Sequence, residues 1–200
     1  MINNVIFDFG GVLFDWNPRY LYRKILDSEY EIEDFLNNVC TCEWNYNLDK
    51  GVTFEENTQK LIKAYPEKRD LIEAYWKRWG EMINNEITGT VEIMKELREN
   101  NINLYGLTNM PTESYHYLME NYEFLKLFKD IVASGLEKVA KPDKRIYKIL
   151  LQRNKLNTDN CLFIDDVQEN IKAGEDIGIK GVRFTNPRDL KKKLIELGLV

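Results

Sequence analysis

The sequence predicts an α/β protein: a parallel sheet covered by helices, interrupted straight after its first strand by an all-helical insert. Three observations carry this. An apolar run, Val5-Ile6-Phe7, ends in one carboxylate, Asp8, with Gly10 and Gly11 just beyond. From about Asp15 to Thr88 the apolar spacing is helical throughout. After Thr88 strands and helices alternate, which calls for right-handed crossovers and a sheet buried on both faces.

Residues 4–8 form the first strand in this reading. Pro18 opens a helix through Ile25 and Leu26, and residues 31–40 give another. Thr53-Phe54-Glu55-Glu56 is a capping-box start, and that helix runs through Leu61, Ile62 and Tyr65 to a stop at Pro66. A further helix carries Leu71, Ile72, Tyr75, Trp76 and Trp79. In the alternating part, Val91, Met94 and Leu97 share one helical face, and Ile102 to Leu107 reads as a strand. Pro111 starts a helix, Asp130 to Ala133 is a short strand, and Pro142 takes the first position of the next helix. Cys161 to Ile164 is a strand, Gln168 to Ile177 a helix and Gly181 to Phe184 a strand, with Asn186-Pro187 capping the last helix.

Composition narrows the function. Two hundred residues hold one domain, or a core with an insertion, and 44% apolar residues suit a packed interior. A net charge of −5 and the lack of a basic stripe disfavour a nucleic-acid surface. Lys191-Lys192-Lys193 reads as a solvated helix face. No apolar run approaches the roughly 18 residues of a membrane span, and the N-terminus has no signal-peptide pattern. Cys40, Cys42 and Cys161 are too few for a disulfide framework, so the cytoplasm is the expected compartment. The only histidine, His116, is expected on a helix surface and heads no catalytic triad. A monomer or weak homodimer is expected.

Four polar positions fall at or just beyond predicted strand ends. They are Asp8, the pair Thr108-Asn109, Lys141 (with Lys138 a second candidate lysine) and the pair Asp165-Asp166. In an open parallel sheet these ends face one crevice. The chemistry is coherent. A phosphate dianion repels an attacking carboxylate, and a hard divalent cation plus a lysine cancels that repulsion. Magnesium takes one or two carboxylates and keeps several waters. Glycines at 10 and 11 leave backbone N–H groups for phosphate oxygens.

In this order and spacing, with Lys141-Pro142-Asp143, Phe163-Ile164-Asp165-Asp166 and then Asn170, Ala173 and Gly174, the chain resembles the haloacid dehalogenase superfamily over nearly its whole length. The resemblance implies a Rossmann-like core, residues 1–14 and 89–200, with an all-helical cap of the C1 type at 15–88. It implies Mg2+ as cofactor and a small phosphorylated molecule as partner. Asp8 would be the nucleophile, and Asp8, the Gly10 carbonyl and Asp166 the metal ligands, with Asp165 holding a metal-bound water. Gly10, Gly11, Thr108, Asn109 and Lys141 would bind phosphate.

One position departs from that family. Its phosphatases usually carry a second aspartate two places after the nucleophile, as general acid and base; here it is Gly10. Three readings follow. The first is a phosphatase whose leaving group needs little protonation, such as a sugar 1-phosphate; the Asp-x-Gly-Gly-Val-Leu form resembles a branch containing glucose-1-phosphatases. The second is a metal-independent 2-haloacid dehalogenase, against which the Asp165-Asp166 pair argues. The third is a fold kept for binding or regulation. In the insert, Trp16 and Asn17 follow the nucleophile loop, and Trp44, Asn45, Tyr46, Asp49 and Lys50 cluster before Gly51. Trp16, Trp44 and Asp49 are the expected substrate contacts, whereas Trp76 and Trp79 are expected in the core of the cap.

Overall fold

Val5, Ile6 and Phe7 are fully buried, and burial on both faces is what places their strand mid-sheet. The computed structural model describes residues 1–200. Its strands in chain order are β1 (Asn4–Phe7), β2 (Phe14–Trp16), β3 (Ile83–Glu86), β4 (Asn103–Thr108), β5 (Asp130–Ala133), β6 (Cys161–Asp165) and β7 (Lys180–Arg183). Five make a parallel sheet in the order β5-β4-β1-β6-β7. Val5 lies opposite Leu104 on one side and Leu162 on the other. The chain therefore leaves β1 in both directions across the sheet, and such a switch point opens a crevice at the strands' C-terminal ends.

Strand alternation divides the interior. Val5 and Phe7 face the larger apolar cluster, which continues into the insert. Ile6 faces a smaller one with Tyr105, Tyr147 and Phe163. Each such side chain contributes about 1.5–3 kcal/mol when fully buried.

Five helices lie between β2 and β3: α1 (Arg19–Tyr22), α2 (Glu29–Asn38), α3 (Cys42–Asp49), α4 (Phe54–Ala64) and α5 (Arg69–Lys77). Hydroxyls of Ser28, Thr41 and Thr53 cap α2, α3 and α4 by accepting from the N–H three residues on. Only half of the expected capping box forms, because the Glu56 carboxylate pairs with Lys60. After β3 come α6 (Thr88–Glu99), α7 (Thr112–Asn121), α8 (Ser134–Glu137), α9 (Lys144–Arg153), α10 (Gln168–Glu175) and α11 (Pro187–Glu196).

Three expectations change. Residues 15–88 are not helical throughout: β2 and β3 pair antiparallel, Asp15 opposite Asn85, at the two ends of the helical segment. These strands are three and four residues long, too short to show a period. The helix after Pro18 spans only Arg19–Tyr22. Pro142 is not a first helical residue. The Lys141–Pro142 peptide is cis, and α9 starts at Lys144 because the Asp143 carboxylate accepts from Arg145 N–H and serves as its cap. His116 is exposed on α7, as expected. No helix is long and apolar enough to cross a membrane.

Candidate active site

β1 delivers Asp8 to the crevice. Its Oδ1 accepts from Phe9 N–H at 2.7 Å and lies 2.8 Å from Lys141 Nζ. Asp8 Oδ2 has no protein partner. The backbone then turns tightly, with Phe9 O accepting from the N–H groups of Val12, Leu13 and Phe14. Gly11 is needed twice in that turn. Its φ is +73°, and a Cβ there would stand 2.6 Å from Asp166 Oδ2. Gly11 N–H donates to Phe14 O at 2.9 Å, so it does not offer the phosphate contact expected of it. Gly10 is unconstrained: a Cβ would meet nothing within 4 Å.

Lys141 is the hub. It is buried, and its ammonium donates to Asp165 Oδ2 at 2.7 Å and to Leu107 O at 2.9 Å besides pairing with Asp8. Burial alone would lower its pKa; Asp8 and then Asp165 outweigh burial and raise it. Lys138, the other candidate lysine, is exposed in a left-handed turn. Asn109 clamps the Lys141 backbone from both sides: Lys141 N–H donates to its Oδ1 at 2.7 Å, and its Nδ2 donates to Lys141 O at 2.9 Å. Its side chain thus positions the lysine, and one Nδ2 hydrogen is left without a protein partner. Thr108, at the end of β4, is buried, with no hydrogen bond to its hydroxyl in the protein. Ser134 Oγ accepts from Met110 N–H at 2.9 Å, which pins the loop beyond Thr108.

Asp165 is fully buried and saturated. Oδ1 accepts from Val167 N–H at 2.8 Å, Oδ2 from Lys141, and Asn170 Nδ2 reaches both at 3.1 Å. It orients the lysine, and Asn170, whose part in this the sequence did not disclose, orients it in turn. Asn170 lies five residues after Asp165 on α10, which is the signal that could have found it. Asp166 is half-buried beside Gly11.

One carboxylate oxygen each of Asp8, Asp165 and Asp166 lies within 4.8 Å of the others. Three carboxylates against one ammonium leave two negative charges uncompensated. Burial pushes Asp8 up to about 8, Lys141 pulls it down and Asp165 pushes it up. Burial, then Asp165, also raises Asp166. Hard oxygen donors short of positive charge fit a divalent cation such as magnesium. Asp8 and Asp166 are the donors not already saturated.

Beside this cluster a cavity of about 160 Å³ opens against Gly10 and Asn109. Helix α3 supplies Asn45 and Asp49 to its far wall, four residues apart on one helix face. Phe14, Trp16, Trp79, Ile83 and Leu118 line its sides. Trp16 is therefore where a substrate contact was expected. Trp44 is not. It is buried under α3, its Nε1 donating to Asn57 O at 3.3 Å and its ring edge-on to Tyr75. One step of helical phase separates the two roles: Trp44 faces the cap interior and Asn45 faces the cavity. The tryptophans of the fifth helix region also part. Trp79 is buried and reaches the cavity, whereas Trp76 stacks on Phe54 and is 36% exposed.

Residues 2–178 match the profile of the haloacid dehalogenase-like hydrolases. The chain belongs to that family. Among known proteins it is 28% identical to the sesquiterpene phosphatase astK of Aspergillus oryzae over 182 residues, 90% of this chain and 89% of that one. It is 25% identical to the phosphorylated carbohydrates phosphatase of Thermotoga maritima over 98% of this chain and 91% of that one. It spans 37% of the drimenol cyclase drtB of Aspergillus calidoustus, at 21% identity. A haloacid dehalogenase-family enzyme of Bacteroides thetaiotaomicron, crystallised with magnesium and inorganic phosphate, shares its fold with a TM-score of 0.72. That likeness covers 93% of this chain and 95% of the other at 19% identity.

Proposed function

We propose that this hydrolase is a magnesium-dependent phosphatase that cleaves a small phosphate monoester through a phosphoryl group carried on Asp8. The observation that supports it best is the buried Lys141 bridge between Asp8 and Asp165, with Asp166 alongside. That bridge holds Asp8 Oδ1 on a fixed ammonium and leaves Oδ2 unhindered. Asp8, Asp166 and the Gly10 carbonyl would hold magnesium, which when bound offsets the negative charge of the phosphate. Lys141 supplies a second positive charge that needs no reorganisation. The Thr108 hydroxyl, free of protein partners, would donate to a phosphate oxygen. We take residues 15–88 as a cap on a core of 1–14 and 89–200, and closing of that cap would exclude water while Asp8 reacts.

The leaving group sits in the cavity. Asn45, Asp49 and the faces of Trp16 and Trp79 suit a sugar phosphate, such as a sugar 1-phosphate, and the similarity to the Thermotoga maritima enzyme agrees. The apolar walls favour a second reading, an ester with a hydrocarbon skeleton, in line with the similarity to the Aspergillus oryzae enzyme.

Phosphate release from glucose 1-phosphate and farnesyl phosphate, with magnesium and with EDTA, tests both readings. Turnover is expected with magnesium only, and Asp8→Asn is expected to lower it by at least about 10³-fold. Equal activity of Asp8→Asn and wild type removes Asp8 as nucleophile. Chloride release from 2-chloropropionate with EDTA present would replace the phosphatase with a dehalogenase.

A further inference from the structure

Gly10 leaves the reaction without a proton donor on the nucleophile loop. Space is not the reason, since a Cβ at Gly10 meets nothing within 4 Å. The cavity beside it contains one titratable side chain, Asp49, on the opposite wall. That carboxylate is placed at a threefold disadvantage. It is the last residue of α3, where the helix dipole disfavours negative charge. It is partly buried, and it has neither a hydrogen bond nor an ion pair. Other acids nearby are engaged: Asp15 accepts from Tyr20 and Asn84, and Glu113 accepts from Phe54 N–H.

The end of α3 is also fixed against the core. Gly51, at φ +88°, lies so close to α8 that a Cβ would stand 2.8 Å from Gly135 O and 3.0 Å from Lys138 Cγ. This close approach holds Asp49 over the crevice.

We propose that Asp49 is the proton donor and acceptor of the reaction, in place of the side chain that Gly10 lacks. The inference rests on the phosphatase reading. In the first step an Asp8 oxygen bonds to phosphorus and the bond from phosphorus to the alcohol oxygen breaks. That oxygen takes the Asp49 proton and leaves as the alcohol. In the second step a water oxygen bonds to phosphorus and gives its proton to the Asp49 carboxylate. The bond from phosphorus to Asp8 breaks, releasing phosphate and restoring both acids. Burial pushes the Asp49 carboxyl up to about 7, with Lys141 pulling the other way, so both protonation states are within reach near neutrality.

Single-turnover kinetics with magnesium test this on wild type, Asp49→Asn and Asp49→Asn with Gly10→Asp. The esters are p-nitrophenyl phosphate, whose leaving group needs no acid, and the better of glucose 6-phosphate and geranyl phosphate, which needs one. Asp49→Asn is expected to slow alcohol release about 10²–10⁴-fold but nitrophenol release less than about tenfold. With p-nitrophenyl phosphate in excess, Asp49→Asn should instead give a burst of one nitrophenol per enzyme, because the base for the second step is gone. Gly10→Asp should restore part of the alcohol release. An equal loss on both esters without a burst, or no loss on either, overturns the inference and leaves the phosphatase intact. A wild type that cleaves only p-nitrophenyl phosphate has no proton donor and also overturns it. A wild type inert on every ester overturns the phosphatase reading itself.

Discussion

The two walls of the cavity are built on opposite principles. On the core side the polar side chains around Lys141 are committed: Asp165 to three donors, Asn109 to one backbone, Lys141 to two carboxylates and a carbonyl. On the cap side Asn45 is held by a single hydrogen bond from Tyr75, and Asp49 by none. The first arrangement fixes charge where a phosphate would sit. The second leaves an acid free to change its protonation state. Preorganised electrostatics and proton transfer make contrary demands, and placing them on different structural elements satisfies both.

The largest effect is expected where the core wall is broken. Lys141→Met keeps the volume but removes the ammonium and leaves Asp8 and Asp165 buried without a counter-charge. Removing one partner of a buried pair destabilises a protein by about 3–5 kcal/mol. Denaturant melts of the metal-free variant should show that loss, with phosphatase turnover abolished. Magnesium should recover more stability in this variant than in wild type, because it replaces the missing positive charge. A variant as stable as wild type without metal would mean the core wall is no more committed than the cap wall.

A smaller effect is expected at Gly11. Alanine there meets both an unfavourable φ and Asp166 Oδ2 at 2.6 Å. Displacing the carboxylate proposed here to hold magnesium should weaken magnesium affinity by about 10–100-fold, as changes next to metal ligands do. Calorimetric titration of magnesium measures this directly. Gly10→Ala is the control, and its affinity should match wild type because its Cβ meets open space.

The same contrast explains what the sequence disclosed. Asp8, Thr108 and Asp165 were legible because each ends a strand or directly follows one, and parallel strands align their C-terminal ends; Lys141 lies beyond α8 and was legible from the Lys141-Pro142-Asp143 run. The clamp by Asn109 and the part played by Asn170 were not read because each holds another residue, and nothing in local spacing says which. The β2–β3 pair was missed because a three-residue strand carries no period. On the cap wall Asp49 and Trp44 came from one cluster, yet only Asp49 reaches the cavity. Helical phase decides between them, and the phase of α3 is set by the Thr41 cap and by Trp44 packing on Tyr75. Those are tertiary facts.

The smallest effect tests the cap wall by stability alone. Asp49 holds its proton to about pH 7 in the folded protein, against 3.8 ordinarily, because it is partly buried; Lys141 opposes this, and the neighbouring Tyr75 phenol stays neutral. Between those two values the folded chain binds a proton that the unfolded chain has released. Stability from this group is therefore complete below about pH 4 and declines as pH rises toward 7. Asparagine at 49 has no proton to lose. The Tm of Asp49→Asn relative to wild type should thus rise from pH 5 to pH 7 and level off above it, without magnesium. Asp8 titrates in both proteins and cancels in the difference. A pH-independent difference would mean that Asp49 is ionised throughout, as a solvated helix-end acid is, and the contrast between the walls would lose its electrostatic half.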